Sequence, residues 1–134
     1  MTFPPAMKPF VISSLLTANH LNLTFQRHFP FLKLQLYSPY GRPLEGAEKE
    51  LMMNTLGRPL GELRWLAIDP DMSVSSFETT FHYLFGLRVE VLRKTGYTWD
   101  DLEHTKHWSL RQQNRKGEQI AMMHTNDSGN NLIN

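Results

Sequence analysis

The chain has no cysteine. That excludes disulfides, thiolate nucleophiles and cysteine-held zinc from these 134 residues. No apolar run is as long as a membrane span. An excess of one charge is also missing, since fourteen Lys and Arg against thirteen Asp and Glu leave a net charge of +1. Nucleic-acid binders ordinarily carry a clear basic excess, because neutralising phosphates dominates their affinity. The composition therefore does not point to such a partner, although it leaves room for a local patch. Motifs of known chemistry are absent as well. There is no G-x-S-x-G elbow for a serine nucleophile, and neither G-x-x-x-x-G-K-[ST] nor G-x-G-x-x-G to cradle phosphates. Met1-Thr2-Phe3-Pro4-Pro5 has neither the charged head nor the apolar stretch of a signal peptide. The expectation is a cytoplasmic protein, with Met7 a second candidate start.

What is present suffices for one hydrophobic core. Apolar residues make up 40% of the chain and charged residues 20%, and the length suits a single domain over 1–134. The strongest pattern is an internal repeat. At an offset of 56, Phe10-Val11-Ile12 meets Leu66-Ala67-Ile68, Thr17 meets Ser73, Leu21 meets Phe77, Phe25 meets Phe81 and Phe29 meets Phe85. Leu32-Lys33-Leu34-Gln35-Leu36 and Leu87-Arg88-Val89-Glu90-Val91 then alternate apolar and polar, matched at an offset of 55. A strand has period two, so a slip of one would turn every apolar side chain to the wrong face. The single-residue change therefore belongs in the turn, at Pro30-Phe31 against Gly86.

Each copy reads as strand, helix, strand. Thr17 and Ser73 are helix caps. Ala18, Leu21, Phe25 and Phe29, and likewise Val74, Phe77, Phe81 and Phe85, recur at helical spacing. Pro30 and Gly86 stop the helices, Gly86 as a left-handed cap. Repeat 1 spans 8–37 and repeat 2 spans 64–93. The expected class is α+β, a ferredoxin-like βαββαβ sheet with both helices on one face.

The connector 38–61 holds a short helix near 45–56, bracketed by Gly41-Arg42-Pro43-Leu44 and Gly57-Arg58-Pro59-Leu60. Arg42 and Arg58 read more readily as two similar turns than as a paired anion site. An extension over 95–120 follows, in which Ser109 and Gln112 have capping-box spacing for a short helix. Residues 121–134 read as a frayed tail.

Imidazole and carboxylate are proper metal ligands, and Asp100, Glu103, His104 and His107 form the best such cluster. Lys106 stands among them and the spacing matches no ligand signature, so a solvated turn is the ordinary reading. No residue presents itself as catalytic and no cofactor is indicated. His28 falls beside an apolar helix face as a partly buried, hydrogen-bonded side chain. His20 is solvated, and His82 and His124 have no constellation. Trp65 beside Arg64 is a poor match to the aromatic and basic signature of an RNA-binding sheet, so nucleic acid is not expected.

Phe81-His-Tyr-Leu-Phe-Gly-Leu-Arg-Val-Glu-Val-Leu-Arg93 and Trp108-Ser-Leu-Arg-Gln-Gln-Asn114 resemble parts of an uncharacterised family of small bacterial proteins. The resemblance covers roughly 64–118 and implies a bacterial single-domain protein without transferring any site residue. The strands carry apolar residues of both phases, and helices can cover only one face. The other must meet the 95–114 segment or a second subunit. The reading that follows is a non-enzymatic binding or assembly module, a homodimer with Trp65, Tyr97, Trp99 and Trp108 as interface candidates. The alternative is a small enzyme or small-ligand binder with its pocket between the sheet and residues 95–114.

Overall fold

The computed structural model describes residues 7–57 and 62–133, with side chains through 124. Residues 1–6, with Met1 as a start, and Arg58, Pro59 and Leu60 of the second Gly-Arg-Pro-Leu lie outside the described residues. The chain is α+β. Strand β1 (Phe10–Ser13) leads into helix α1 (Ala18–His28) and strand β2 (Leu32–Tyr37). A 3-10 turn (Gly46–Glu50) and the one-turn helix α2 (Met53–Leu56) follow, then β3 (Trp65–Ile68), α3 (Val74–Phe85), β4 (Arg88–Thr95), β5 (Thr98–Asp100) and α4 (Leu110–Ile133). Among the described residues, no helix is long and apolar enough to cross a membrane.

Local chemistry sets the elements. The Thr17 hydroxyl accepts the His20 N–H at 3.0 Å, and the Ser73 hydroxyl accepts that of Ser76 at 3.0 Å, so both main helices start on the side-chain oxygens expected of them. Gly86 closes α3 at φ +71, a conformation that a Cβ would strain. The period-3.6 faces turn inward. Phe25, Phe29, Phe77 and Phe81 are fully buried and Phe85 is 2% exposed. Their rings form a continuous file, with Phe25 and Phe77 bridging α1 and α3 at 5.5 Å between centroids. One cluster, from Ile12 through the phenylalanines and Leu87 to Leu110, joins α1, α3 and both β-strand pairs that follow.

The pairing is antiparallel throughout, and the strands flanking α1 pair with those flanking α3. β1 pairs with β3, with Val11 opposite Ala67. β2 pairs with β4, with Gln35 opposite Glu90. The element order and the β1–β3 pair are compatible with a ferredoxin-like arrangement. The continuous four-stranded sheet is not what forms. The strands divide into a two-stranded sheet, β1–β3, and a three-stranded sheet ordered β2–β4–β5. The long connector after Tyr37 removes the constraint that would make β2 and β3 a hairpin, so β2 takes β4 as its neighbour.

Three further expectations are corrected. The connector helix is two separate turns: Leu51 and Met52 are extended, and Met52 bridges to Thr17, breaking it. The frayed tail continues as helix, because α4 runs 24 residues to Ile133. Nothing after Ser109 is a proline, and Ala121, Met122 and Met123 favour helix. The extension also adds the strand β5, whose three residues are too few to show a period of their own.

Candidate functional site

The outer face of β1–β3 is built by alternation. Ile12, Leu66 and Ile68 turn into the core, so Val11, Trp65 and Ala67 turn out. Val11 is 61% exposed and Trp65 57%, while Leu15 (52%) and Leu63 (42%) flank the end of the pair. Arg64 bridges to Glu62 at 2.6 Å beside this patch, and its backbone N–H donates to the Ser14 hydroxyl at 3.0 Å. Residues 102–111 leave this patch exposed. They dock on the N-terminal end of α3, where the Trp108 carbonyl accepts the Val74 N–H and the Lys106 carbonyl accepts that of Ser75.

The four aromatic interface candidates sit on different elements. Trp65 lies on β3, fully exposed Tyr97 in the β4–β5 turn, half-buried Trp99 on β5 and half-buried Trp108 just before α4. Trp99 has the Lys33 ammonium 5.0 Å from its ring centre. Trp108 lines a shallow groove of about 320 Å³ with Gln112, Arg115, Lys116 and Gln119.

The metal candidates are not drawn together. Asp100 stands opposite Arg93 and accepts the Thr98 hydroxyl, while Glu103, His104 and His107 are exposed. Among the described residues, no three His, Asp or Glu side chains converge as metal ligands would. The convergence that does exist is around Lys106. Its ammonium donates to Glu78 Oε1 at 2.8 Å, which raises its pKa, with Glu90 and Glu103 adding attraction. Glu78 Oε2 meanwhile accepts the Val91 N–H at 2.9 Å. Glu90, Asp101, Glu103 and Lys106 line an open cleft of about 200 Å³ between the sheet and the extension. The chain's own cation sits among these carboxylates.

The remaining residues singled out have structural work. Arg42 donates two bonds to Glu48, at 2.8 and 2.7 Å, and so anchors its turn. The half-buried His28 ring stacks on Phe10 at 3.7 Å and 3° between planes. Trp108–Asn114 is a clamp. Ser109 and Gln112 form the reciprocal capping bonds at 3.0 and 2.8 Å. Gln113 Oε1 accepts from Arg93 while its amide donates to the carbonyl and hydroxyl of Thr105. Asn114 Oδ1 accepts the Phe31 N–H at 2.8 Å. Both side chains are buried, so the helix N-terminus is stitched to β4 and to the turn before β2.

One surface is not visible in the sequence. On the outer face of β2–β4–β5, Arg88 lies 3.9 Å from the centre of the Tyr37 ring, and Lys33 reaches Trp99. These residues meet only through strand pairing, so no linear motif announces them. The chain was compared with family models, curated proteins and solved structures, and none matches.

Proposed function

We propose that this chain is a non-enzymatic binding module that acts by self-association through the outer face of β1–β3. The observation that carries the reading is the apolar patch of Val11, Leu15, Leu63 and Trp65, each at least 42% exposed and covered by neither main helix nor extension. Apolar area left wet costs roughly 25 cal/mol per Å², so several hundred Å² of it is a liability unless a partner covers it. A second copy is the commonest such partner for a face of this kind. The two strand–helix–strand units are read as copies of one unit. Support comes from the pairing: Val11 faces its counterpart Ala67 and Gln35 its counterpart Glu90, as an internal two-fold axis through both pairs requires. The likeness of 64–118 to small bacterial proteins and a cytoplasmic setting belong to the same proposal.

Light scattering on a size-exclusion column, across a dilution series, tests it. The expected result is a dimer that Trp65→Arg dissociates, with a contact of at least about 1,000 Å². A strict monomer at tens of micromolar overturns it. The alternative of a small-ligand binder has one observation in its favour, the charged cleft at Glu90, Asp101, Glu103 and Lys106. Lys106 already neutralises part of that cleft, which ranks this reading second.

A further inference from the structure

The strand registers sort the side chains of β2–β4–β5 onto two faces. Leu32, Leu34, Leu36, Val89 and Val91 are buried on the inner one. Directly opposed residues of an antiparallel pair share a face. The outer face therefore carries Tyr37 with Arg88, Gln35 with Glu90, Lys33 with Leu92, and Lys94 with Trp99. On the paired strands three cations stand there against one carboxylate, in a chain whose net charge is only +1, and that carboxylate, Glu90, opens at the margin into the cleft it shares with Asp101, Glu103 and Lys106. The aromatic rings are placed with the cations. The Arg88 guanidinium lies over Tyr37, and the Lys33 ammonium over Trp99. Two fully exposed rings bound the same sheet, Tyr40 in the turn beyond β2 and Tyr97 in the β4–β5 turn.

We propose that this outer face is a docking surface for single-stranded nucleic acid. A single strand offers both things the face is built to meet, phosphates for Lys33, Arg88 and Lys94, and unstacked base planes for Tyr37, Trp99 and the Arg88 guanidinium. The four-stranded sheets of RNA-recognition modules stack two or three bases on their aromatic side chains in this way. A duplex keeps its bases stacked and hides the planes these rings would meet. A peptide added as a further strand is opposed by the edges. Leu34 and Val91 stand opposite each other with N–H groups held by side chains, at Asn22 Oδ1 (2.8 Å) and Glu78 Oε2 (2.9 Å). A second copy of the chain has an apolar face available at β1–β3, while this face is charged, and like charges would meet if it paired with itself. The proposal does not depend on self-association.

The test is fluorescence anisotropy with the full chain and a labelled twelve-nucleotide poly-U or poly-dT strand, beside a duplex of equal length and a poly-glutamate peptide. Binding is expected for the single strand. With three phosphates neutralised, a salt slope of about −0.7 per phosphate predicts roughly 20-fold weaker binding at 200 mM than at 50 mM salt. Lys33→Glu with Lys94→Glu should weaken binding at least about tenfold, with the circular dichroism spectrum unchanged. Trp99→Leu should weaken single-strand binding with less effect on the salt slope, because stacking carries no charge. No binding at tens of micromolar overturns the proposal. So does equal binding of the duplex or of poly-glutamate, or indifference to folded charge-reversed variants.

Discussion

The two sheets hold opposite chemistry on their outer faces, although both have period-two strands and both are antiparallel. Outside β1–β3 stand Val11, Trp65 and Ala67; outside β2–β4–β5 stand Lys33, Arg88, Lys94 and Glu90 with Tyr37 and Trp99. The inner faces are alike in resting on one apolar core with the phenylalanine file, the larger sheet adding Arg93 at its end, where it meets Gln113. The inner phase of a strand is dictated by the core, whereas the outer phase is left to solvent or a partner. The difference between the outer faces is thus where separate functions can be written on one scaffold.

The largest effect expected is in the core that the two sheets share. Phe81→Ala should cost about 3–5 kcal/mol in chemical denaturation, because a buried ring leaves a cavity that the fold cannot refill. It should weaken both sheets together in hydrogen exchange. A loss below about 1 kcal/mol would show that the sheets do not rest on one core. Asn114→Ala should separate them. It strips the Phe31 N–H of its acceptor at a site 3% exposed, at a cost of about 1–3 kcal/mol. Amide exchange should quicken at Phe31 and Lys94, whose N–H donates to the Phe31 carbonyl, and hardly at Ile12 or Leu66. Uniform quickening would mean that the clamp serves the whole fold.

Trp65→Ser should cost under about 1 kcal/mol in dilute protein, since an exposed side chain loses little on removal. A larger cost that grows with protein concentration would show that the face is buried in an assembly. The smallest effect is electrostatic. The Arg111 guanidinium holds the Asp71 carboxyl below its usual value, and Arg42 does the same for Glu48. A depressed carboxylate stabilises the fold above its unfolded pKa, and the stabilisation is lost as pH falls through the lower, folded value. Arg111→Met should therefore flatten the fall in urea midpoint between pH 7 and pH 3. The change should be slight because both pairs are solvent-exposed. An unaltered profile would place the acid sensitivity elsewhere.

By itself the sequence determined the local elements: caps at Thr17 and Ser73, inward phenylalanines at helical spacing, alternating strands, and a turn at Pro30-Phe31 between α1 and β2. These depend on neighbours within a turn or two, where backbone sterics and side-chain period are decisive. The interface candidates were legible only as large apolar residues, and Trp65 alone lies on the exposed apolar patch. Tertiary structure decided the rest. It paired β2 with β4 and split the sheet in two, added β5, set Lys106 on Glu78, and tied Gln113 and Asn114 to Arg93 and Phe31. Period two tells which side a residue faces but not which strand lies beside it. That choice rests on contacts between residues far apart in the chain, which compete through loop closure and shared burial and leave no mark at any one position.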